Sequence, residues 1–436
     1  MRGQATAAVT IGAPSRPPAR MPLSTYAAVF RDRKMLVLLL LGFSSGLPLA
    51  LTGGTLQAWL TVKGLDIALI GLFALVGQPY TYKFLWAPLM DRFTPPFLGR
   101  RRGWLVLTQL ALLATLAWMG TISPNDSPRL LAAAALAVAF LSASQDIVVD
   151  AYRTDILGAE ARGAGAAVFV LGYRVAMLVS GGLALILAAG PLGWTGTYWL
   201  MALLMLVGSA AVLLGDEPEA PPRAPHTLRE SVRYPLAEFF ARDGAWALLA
   251  LIVLYKLGDA FAGTLSTAFL LRGPHFSLEE VGLVNKWLGV VATILGALAG
   301  GALMARLRLY RSLLVFGVLQ GVTNLGYMAL ALAGKSYVLM ILAVAAENLA
   351  SGMGTAAFVA LLMAMCERRH YATQYALLSA LAALGRVYVG PAAGAMAEVF
   401  GWPEFFFLTF LLSLPGLAML VWQKRRIAAI DTAPRE

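Results

Sequence analysis

The chain has 436 residues, 59% apolar and only 13% charged, with mean hydropathy +0.73 and formal net charge +11. Soluble domains run at about 45–50% apolar and about 25% charged, so this composition excludes a water-soluble fold for most of the chain. The single cysteine, Cys366, excludes a disulfide framework and a thiolate cluster, and His226, His275 and His370 lack the spacing of a metal pair. No metal and no cofactor is expected.

Taken in chain order, residues 1–35 open with a Pro-, Ala- and Arg-rich stretch that has no apolar run. That reads as a disordered cytoplasmic tail and not as a signal peptide. A membrane helix needs about 20 apolar residues. Six such runs follow within 36–214, at roughly 36–60, 68–90, 103–122, 129–151, 165–188 and 195–214. A polar linker, 215–244, carries DEPEAPPRAPH and then an Arg/Glu-rich stretch patterned as an amphipathic helix. Six more runs fill 245–423, at roughly 245–271, 280–303, 312–333, 337–365, 374–397 and 402–423, before a basic tail at 424–436. The pattern predicts an all-α membrane protein of twelve transmembrane helices in two six-helix, pseudo-symmetric halves.

Basic residues set the expected orientation, because cytoplasmic loops accumulate Lys and Arg. With the N-terminus inside, 25 of the 34 Lys and Arg residues fall on the cytoplasmic side. Lys63, Arg129, Arg272 and Lys335 fall outside, and the other five lie within spans. Both termini are therefore expected in the cytoplasm, and the positive balance reports topology, with no nucleic-acid partner. Local echoes support a duplication: APLMDRFTPPFLGRRR after the second span and GALMARLRLYR after the eighth, LGYRV in the fifth and LGRVYV in the eleventh. Gly42/Gly46, Gly296/Gly300 and Gly390/Gly394 have the GxxxG spacing that lets helices approach closely.

Nine ionisable residues sit inside apolar runs: Lys83, Asp146, Asp150, Arg174, Lys256, Asp259, Lys286, Glu347 and Arg386. Each would cost about 2.5–3.5 kcal/mol facing lipid, together more than the roughly 5–15 kcal/mol that holds a typical domain folded. They are expected to face one another or a wet cavity. Helical spacing gives the faces. Ser142, Asp146 and Asp150 line one side of the fourth span, Lys256 and Asp259 are i,i+3 neighbours, and Glu347, Ser351 and Thr355 form a stripe. Structural alternatives stand beside each functional reading. Lys256–Asp259 also fits a self-neutralising packing pair, and Asp146 and Asp150 also fit partners of Arg153 that gate the cytoplasmic end. Asp91 and Arg92 read as a gate, with Asp91 placed to dock on the N-terminus of the eleventh span. Arg174 and Arg386 lie at similar depths of opposite halves with few acids nearby in sequence.

PLMDRFTPPFLGRRR resembles the cytoplasmic loop motif of the major facilitator superfamily, from which TPP and a longer spacer depart. GFSSGLPLALTGGTLQAWL, FLWAPLMDRFTPPFLGRRRGW, SASQDIVVDAYRTDIL with GAEARGAGAA, and LYKLGDAFAG resemble AmpG-type muropeptide permeases, over about Arg33 to Lys424. Several members of that family carry extra C-terminal spans that this chain lacks. The resemblance implies import of anhydromuropeptides with protons across a bacterial inner membrane, for peptidoglycan recycling and, indirectly, β-lactamase induction.

Residue chemistry fits such a substrate. Arg174, Arg386 and Lys256 are candidates for its carboxylates, Tyr82, Tyr173 and Tyr255 for stacking on sugar rings, and Gln57 for a polar contact. Proton coupling needs a buried carboxylate whose charge a cation or substrate can switch; Asp150, Asp146, Asp259 and Glu347 are the candidates. Arg101 joins Asp91 and Arg92 as a gating residue. The expected partners are the substrate, protons and the lipid bilayer, with the chain acting as a monomer and not as an enzyme. The alternatives are a proton-coupled carrier of another bulky anion or drug on the same fold, a membrane glycosyl or acyl transferase, and a non-transporting receptor. An enzyme would need a metal or general-base cluster at one membrane face, and a receptor a sizeable soluble domain; neither is visible in the sequence.

Overall fold

A computed structural model describes residues 32–157, 161–218, 244–366 and 371–432; the side chains of Asp91 and Arg386 are outside that description. So are the expected tail up to residue 31, the linker over 219–243 and the last residues, 433–436. In a bilayer every backbone polar group needs an internal partner, which the helix supplies, and the described residues are almost entirely helical. Boundaries follow local chemistry. Asp32 caps α1 (Arg33–Thr52) by accepting from the Lys34 amide at 3.0 Å. The Gly53–Gly54 break separates α1 from α2 (Gly54–Val62). After α3 (Arg100–Met119), Pro128 opens α4 (Pro128–Ile156), where its missing N–H costs nothing.

The fifth rod is α5 (Arg162–Met177) continued through a π-helical turn at Leu178–Leu183. α6 (Gly193–Leu204) and α7 (Leu206–Leu214) follow, then α8 (Ala245–Tyr255) and α9 (Leu257–Arg272), which meet at Lys256. A capping box between Ser277 and Glu280 starts the next rod, whose first turns, Val281–Leu288, are again π-helical. It runs on as α10 (Gly289–Ala333), followed by α11 (Tyr337–Ala364), α12 (Tyr371–Phe400), α13 (Trp402–Trp422) and α14 (Lys424–Thr432).

Ten helical stretches among the described residues are long and apolar enough to cross a membrane. Three of the twelve expected spans differ in form. Residues 67–92 are a chain of short α and 3-10 segments, not one helix. Pro79 and Pro88 remove backbone donors there, and Gly71 and Gly77 add flexibility. The expected spans at 280–303 and 312–333 form a single 56-residue stretch, Leu278–Ala333, bent where Arg308 leaves helical geometry at φ 62. A 56-residue helix would run about 84 Å, more than twice the roughly 30 Å hydrocarbon core. The equivalent turn after residue 92 also passes through positive φ, at Leu98 (59) and Gly99 (82).

Packing repeats between the two parts of the chain. α1 packs on α5, α4 and α7, and α3 packs on α4 and α6; later, α8 and α9 pack on α12 and α13, and α10 packs on α11 and α13. Close approach depends on the GxxxG glycines: a methyl at Gly42 would overlap the Phe169 carbonyl, and one at Gly296 the Leu349 carbonyl. The buried apolar clusters give the shape. One cluster spans both parts, from Leu47, Trp59 and Tyr198 to Phe269, Tyr327 and Phe406, at the end that carries Lys63 and Arg272. Toward the Arg101 end the buried apolar side chains fall into separate clusters, each confined to one part, the smallest being Met35, Leu38, Leu157 and Val168 of the first. A larger one in the first part holds Val37, Val149 and Tyr152, and that of the second holds Tyr255, Phe316 and Phe358. The halves are thus joined at the Lys63 end, and the cleft between them opens toward the Arg101 end.

Candidate functional site

The seam that closes the cleft is built from three contacts: α2 on α9, residues 67–77 on α12, and the two π-helical turns on each other. Arg272 donates from Nε and Nη2 to the Thr61 carbonyl at 3.3 and 3.0 Å. The Ala68 amide donates to Glu398 at 3.2 Å. A methyl at Gly394 would sit 3.0 Å from the Ala68 Cα, so this third GxxxG pair serves the seam and not a neighbour within its own half. Tyr82 and Tyr388 hydroxyls, 3.0 Å apart, mark its inner limit.

Facing the cleft from the first half, α4 carries its stripe from core to opening. Ser142 is fully buried, Asp146 half-buried and Asp150 exposed. Asp150 accepts from Arg153 at 3.2 Å and lies 3.9 Å from Lys83. Arg153 also stacks over Phe169, 4.9 Å from the ring centre. Behind the stripe, Gln145 donates to Ser44 and Ser45 at 3.1 and 3.3 Å, tying α4 to α1.

The second half assembles a tighter cluster. The break between α8 and α9 at Lys256 turns its ammonium toward α11, where it donates to Asp259 at 3.3 Å and to Thr355 at 3.2 Å. Ser351 donates to the same Asp259 oxygen at 3.3 Å. One turn along the stripe, Glu347 accepts from the Asn348 amide at 2.8 Å, and no cation lies within 4.0 Å of it among the described residues. Two motifs far apart in sequence, the i,i+3 pair and the 347/351/355 stripe, are therefore one site.

The other expected residues divide. Arg174 is half-buried on α5, 3.9 Å from the Met177 sulfur and with no carboxylate within 4.0 Å among the described residues. Arg386 lies on α12 with its side chain outside the described residues, as does that of Asp91. Tyr173 is half-buried and tilted against Phe169 at 6.4 Å. Tyr255 does not present a face for a sugar. It is 6% exposed, stacked on Phe358 at 5.7 Å, and its hydroxyl donates to the Leu313 carbonyl at 2.8 Å. Gln57 is likewise taken up in this conformation, bonded to the α9 backbone at Thr264 and Ala268. Arg92 is exposed. Arg101 pairs with Asp155 at 2.9 Å, and its amide and that of Arg102 donate to Glu217 at 2.8 and 2.9 Å. This basic loop is thus fastened within its own half. The seam was not legible in the sequence, and Lys286, in VGLVNKWLGVV, was legible as one of the nine charges within spans but was given no role.

Two helical halves, joined at one end, with ionisable side chains lining the opening between them, define the fold of a secondary transporter. The chain belongs to the Major Facilitator Superfamily, whose family model matches residues 38–346. It is 57% identical over 398 residues to the anhydromuropeptide permease of Escherichia coli (strain K12), covering 91% of this chain and 81% of that one. It is 32% identical over 416 residues to putative transporter AmpG 4 of Rickettsia felis, covering 92% and 98%. Among solved structures, a POT family transporter in complex with a thioalcohol-conjugated peptide superimposes with TM-score 0.70 at 13% identity, over 91% of this chain and 96% of that one.

Proposed function

We propose that the chain imports anhydromuropeptides together with protons across the bacterial inner membrane, with the Arg101 end and both termini in the cytoplasm. The observation that carries the substrate class is the 57% identity to the Escherichia coli anhydromuropeptide permease over 91% of the chain. Counting Leu278–Ala333 as two crossings and the segmented 67–92 as one brings the ten apolar helices to twelve, six on each side of the linker. The cleft then faces the cytoplasm.

Inward movement of an anion opposes a negative-inside potential by about 2.3 kcal/mol per charge per 100 mV, and a proton carried with it offsets that cost. The Lys256 cluster supports the coupling. Lys256 is shared among Asp259, Thr355 and whatever acid enters the cleft, so a substrate carboxylate competes with Asp259 for one ammonium. Glu347, which like Asp146 has no cation within 4.0 Å among the described residues but shares its stripe with Ser351 and Thr355 of the Lys256 cluster, is the residue we assign to the proton. Arg174, unpaired by any acid among the described residues, is the second cation offered to the peptide.

The test is uptake of labelled anhydromuropeptide into right-side-out vesicles under an imposed proton gradient. Parent protein accumulates substrate, and a protonophore abolishes accumulation. Glu347→Gln should lose uphill accumulation but keep counterflow exchange, which needs no net proton movement. Uptake indifferent to the protonophore overturns the coupling; no uptake of the fragment by parent protein overturns the substrate class.

A further inference from the structure

Lys286 has no part in the cluster described above, yet it is the cation most deeply committed to the seam. It lies on the π-helical turn Val281–Leu288, and its ammonium donates to the Thr267 hydroxyl on α9 at 2.9 Å. No carboxylate lies within 4.0 Å of it among the described residues. The side chain is laid across the boundary between the halves onto two glycines of the other half. A methyl at Gly54, just past the α1–α2 break, would be 2.9 Å from its Nζ, and one at Gly181, on the facing π-helical turn, 3.8 Å from its Cδ. An ammonium has three donors, and among the described residues its one acceptor is a neutral hydroxyl.

The cover and the anchor belong to different halves. Thr267 moves with Lys286, whereas Gly54 and Gly181 leave with α2 and α5 when the seam separates. Separation therefore uncovers an anchored, uncompensated cation at the side of the protein where Lys63 and Arg272 lie. We propose that Lys286 is the residue that receives a substrate carboxylate from the periplasmic side, and that the carboxylate supplies the counter-charge when the halves close over it. Burying a lone charge is costly unless it is paired, so an acid bound there favours closure, whereas an uncharged ligand does not. The wide π-helical turn brings this about by advancing residue 286 around the rod toward α9 and α2. The glycine break at residues 53–54 supplies a surface with no side chain for the ammonium to lie against.

This inference rests on the import reading above, and the test separates the two. The probes are a sugar-tripeptide anhydromuropeptide with free carboxylates and its carboxyamidated counterpart, compared as KM and kcat of uptake into right-side-out vesicles. For parent protein the free acid should be preferred. Lys286→Gln should raise KM for the free acid roughly 10- to 100-fold, the worth of one charge-assisted hydrogen bond, leave the amidated probe within about twofold, and let Lys286→Arg recover most of the loss. Lys286→Cys should also react with a membrane-impermeant thiol reagent added from the periplasmic side. Equal loss of both probes at normal membrane levels, or a Lys286→Cys that never reacts from that side, overturns the assignment of Lys286 and leaves the import reading standing. Failure of parent protein to take up either probe overturns the import reading itself.

Discussion

The two halves carry similar ionic groups into the cleft and treat them differently. In the first half, Asp150 sits between Lys83 and Arg153 with its side chain 52% exposed and that of Lys83 35% exposed. In the second, Lys256 and Asp259 are each 18% exposed, and each takes one further bond, Lys256 donating to Thr355 and Asp259 accepting from Ser351. Water screens the first group and leaves it little energetic consequence. The second is shielded, so breaking it leaves a charge with a neutral hydroxyl and no counter-charge bonded to it. The lesson is that two groups of the same charge types differ in how much a broken pair costs, and that the difference lies in their exposure.

The sharpest way to break this comparison is to remove one member of the shielded pair. Asp259→Ala strands the Lys256 ammonium and should cost about 3–5 kcal/mol, seen as a lower unfolding temperature in detergent and less protein in the membrane. Lys256→Ala combined with Asp259→Ala should regain most of that stability while uphill uptake stays absent. A single variant as stable as the parent would place the pair in solvent and remove the contrast.

A smaller effect is expected at the seam. Arg272→Gln loses the charge-assisted bonds to the Thr61 carbonyl, worth about 1.5–3 kcal/mol, and should shift the population toward the form open at the Lys63 end. Reactivity of a cysteine placed at Gly64 toward an impermeant reagent would read that shift; unchanged reactivity would mean that helix packing alone holds the seam. The smallest effect should come from the exposed group. Asp150→Asn is expected to change stability by about 0–1 kcal/mol and uptake by no more than a few-fold. Abolished uptake at normal membrane levels would move the proton site to the first half and reverse the comparison.

Much of the membrane architecture was legible because lipid simplifies the code: long apolar runs mean spans, and Lys/Arg asymmetry gives the expected orientation. The stripes on α4 and α11 were also legible, since i,i+4 spacing fixes a helix face without any tertiary knowledge. What sequence could not supply was which faces meet. Lys256 and Asp259 are three residues apart and announce each other, but Ser351 and Thr355 join them only through the packing of the second half. Tyr255 shows the opposite error. It was expected, with Tyr82 and Tyr173, to stack on sugar rings, while the turn of the helix sends its ring toward Phe358 and the core. The segmented 67–92 stretch was hidden for a similar reason. Hydropathy averages over Pro79 and Pro88, whereas hydrogen bonding counts each missing donor.

Gln57 donates to the Thr264 carbonyl and accepts from the Ala268 amide, two backbone groups four residues apart that also belong to a single turn of α9. The side-chain amide is thus held by a turn that is able to satisfy itself. When the halves part, that turn retains its internal i,i+4 bond, and the departing amide meets water entering from the Lys63 end. No backbone group is orphaned by the movement. At this point the barrier between the two conformations is the stripping of an amide from its dock and its rehydration, a small and recoverable quantity, as befits a joint that must open on every turnover.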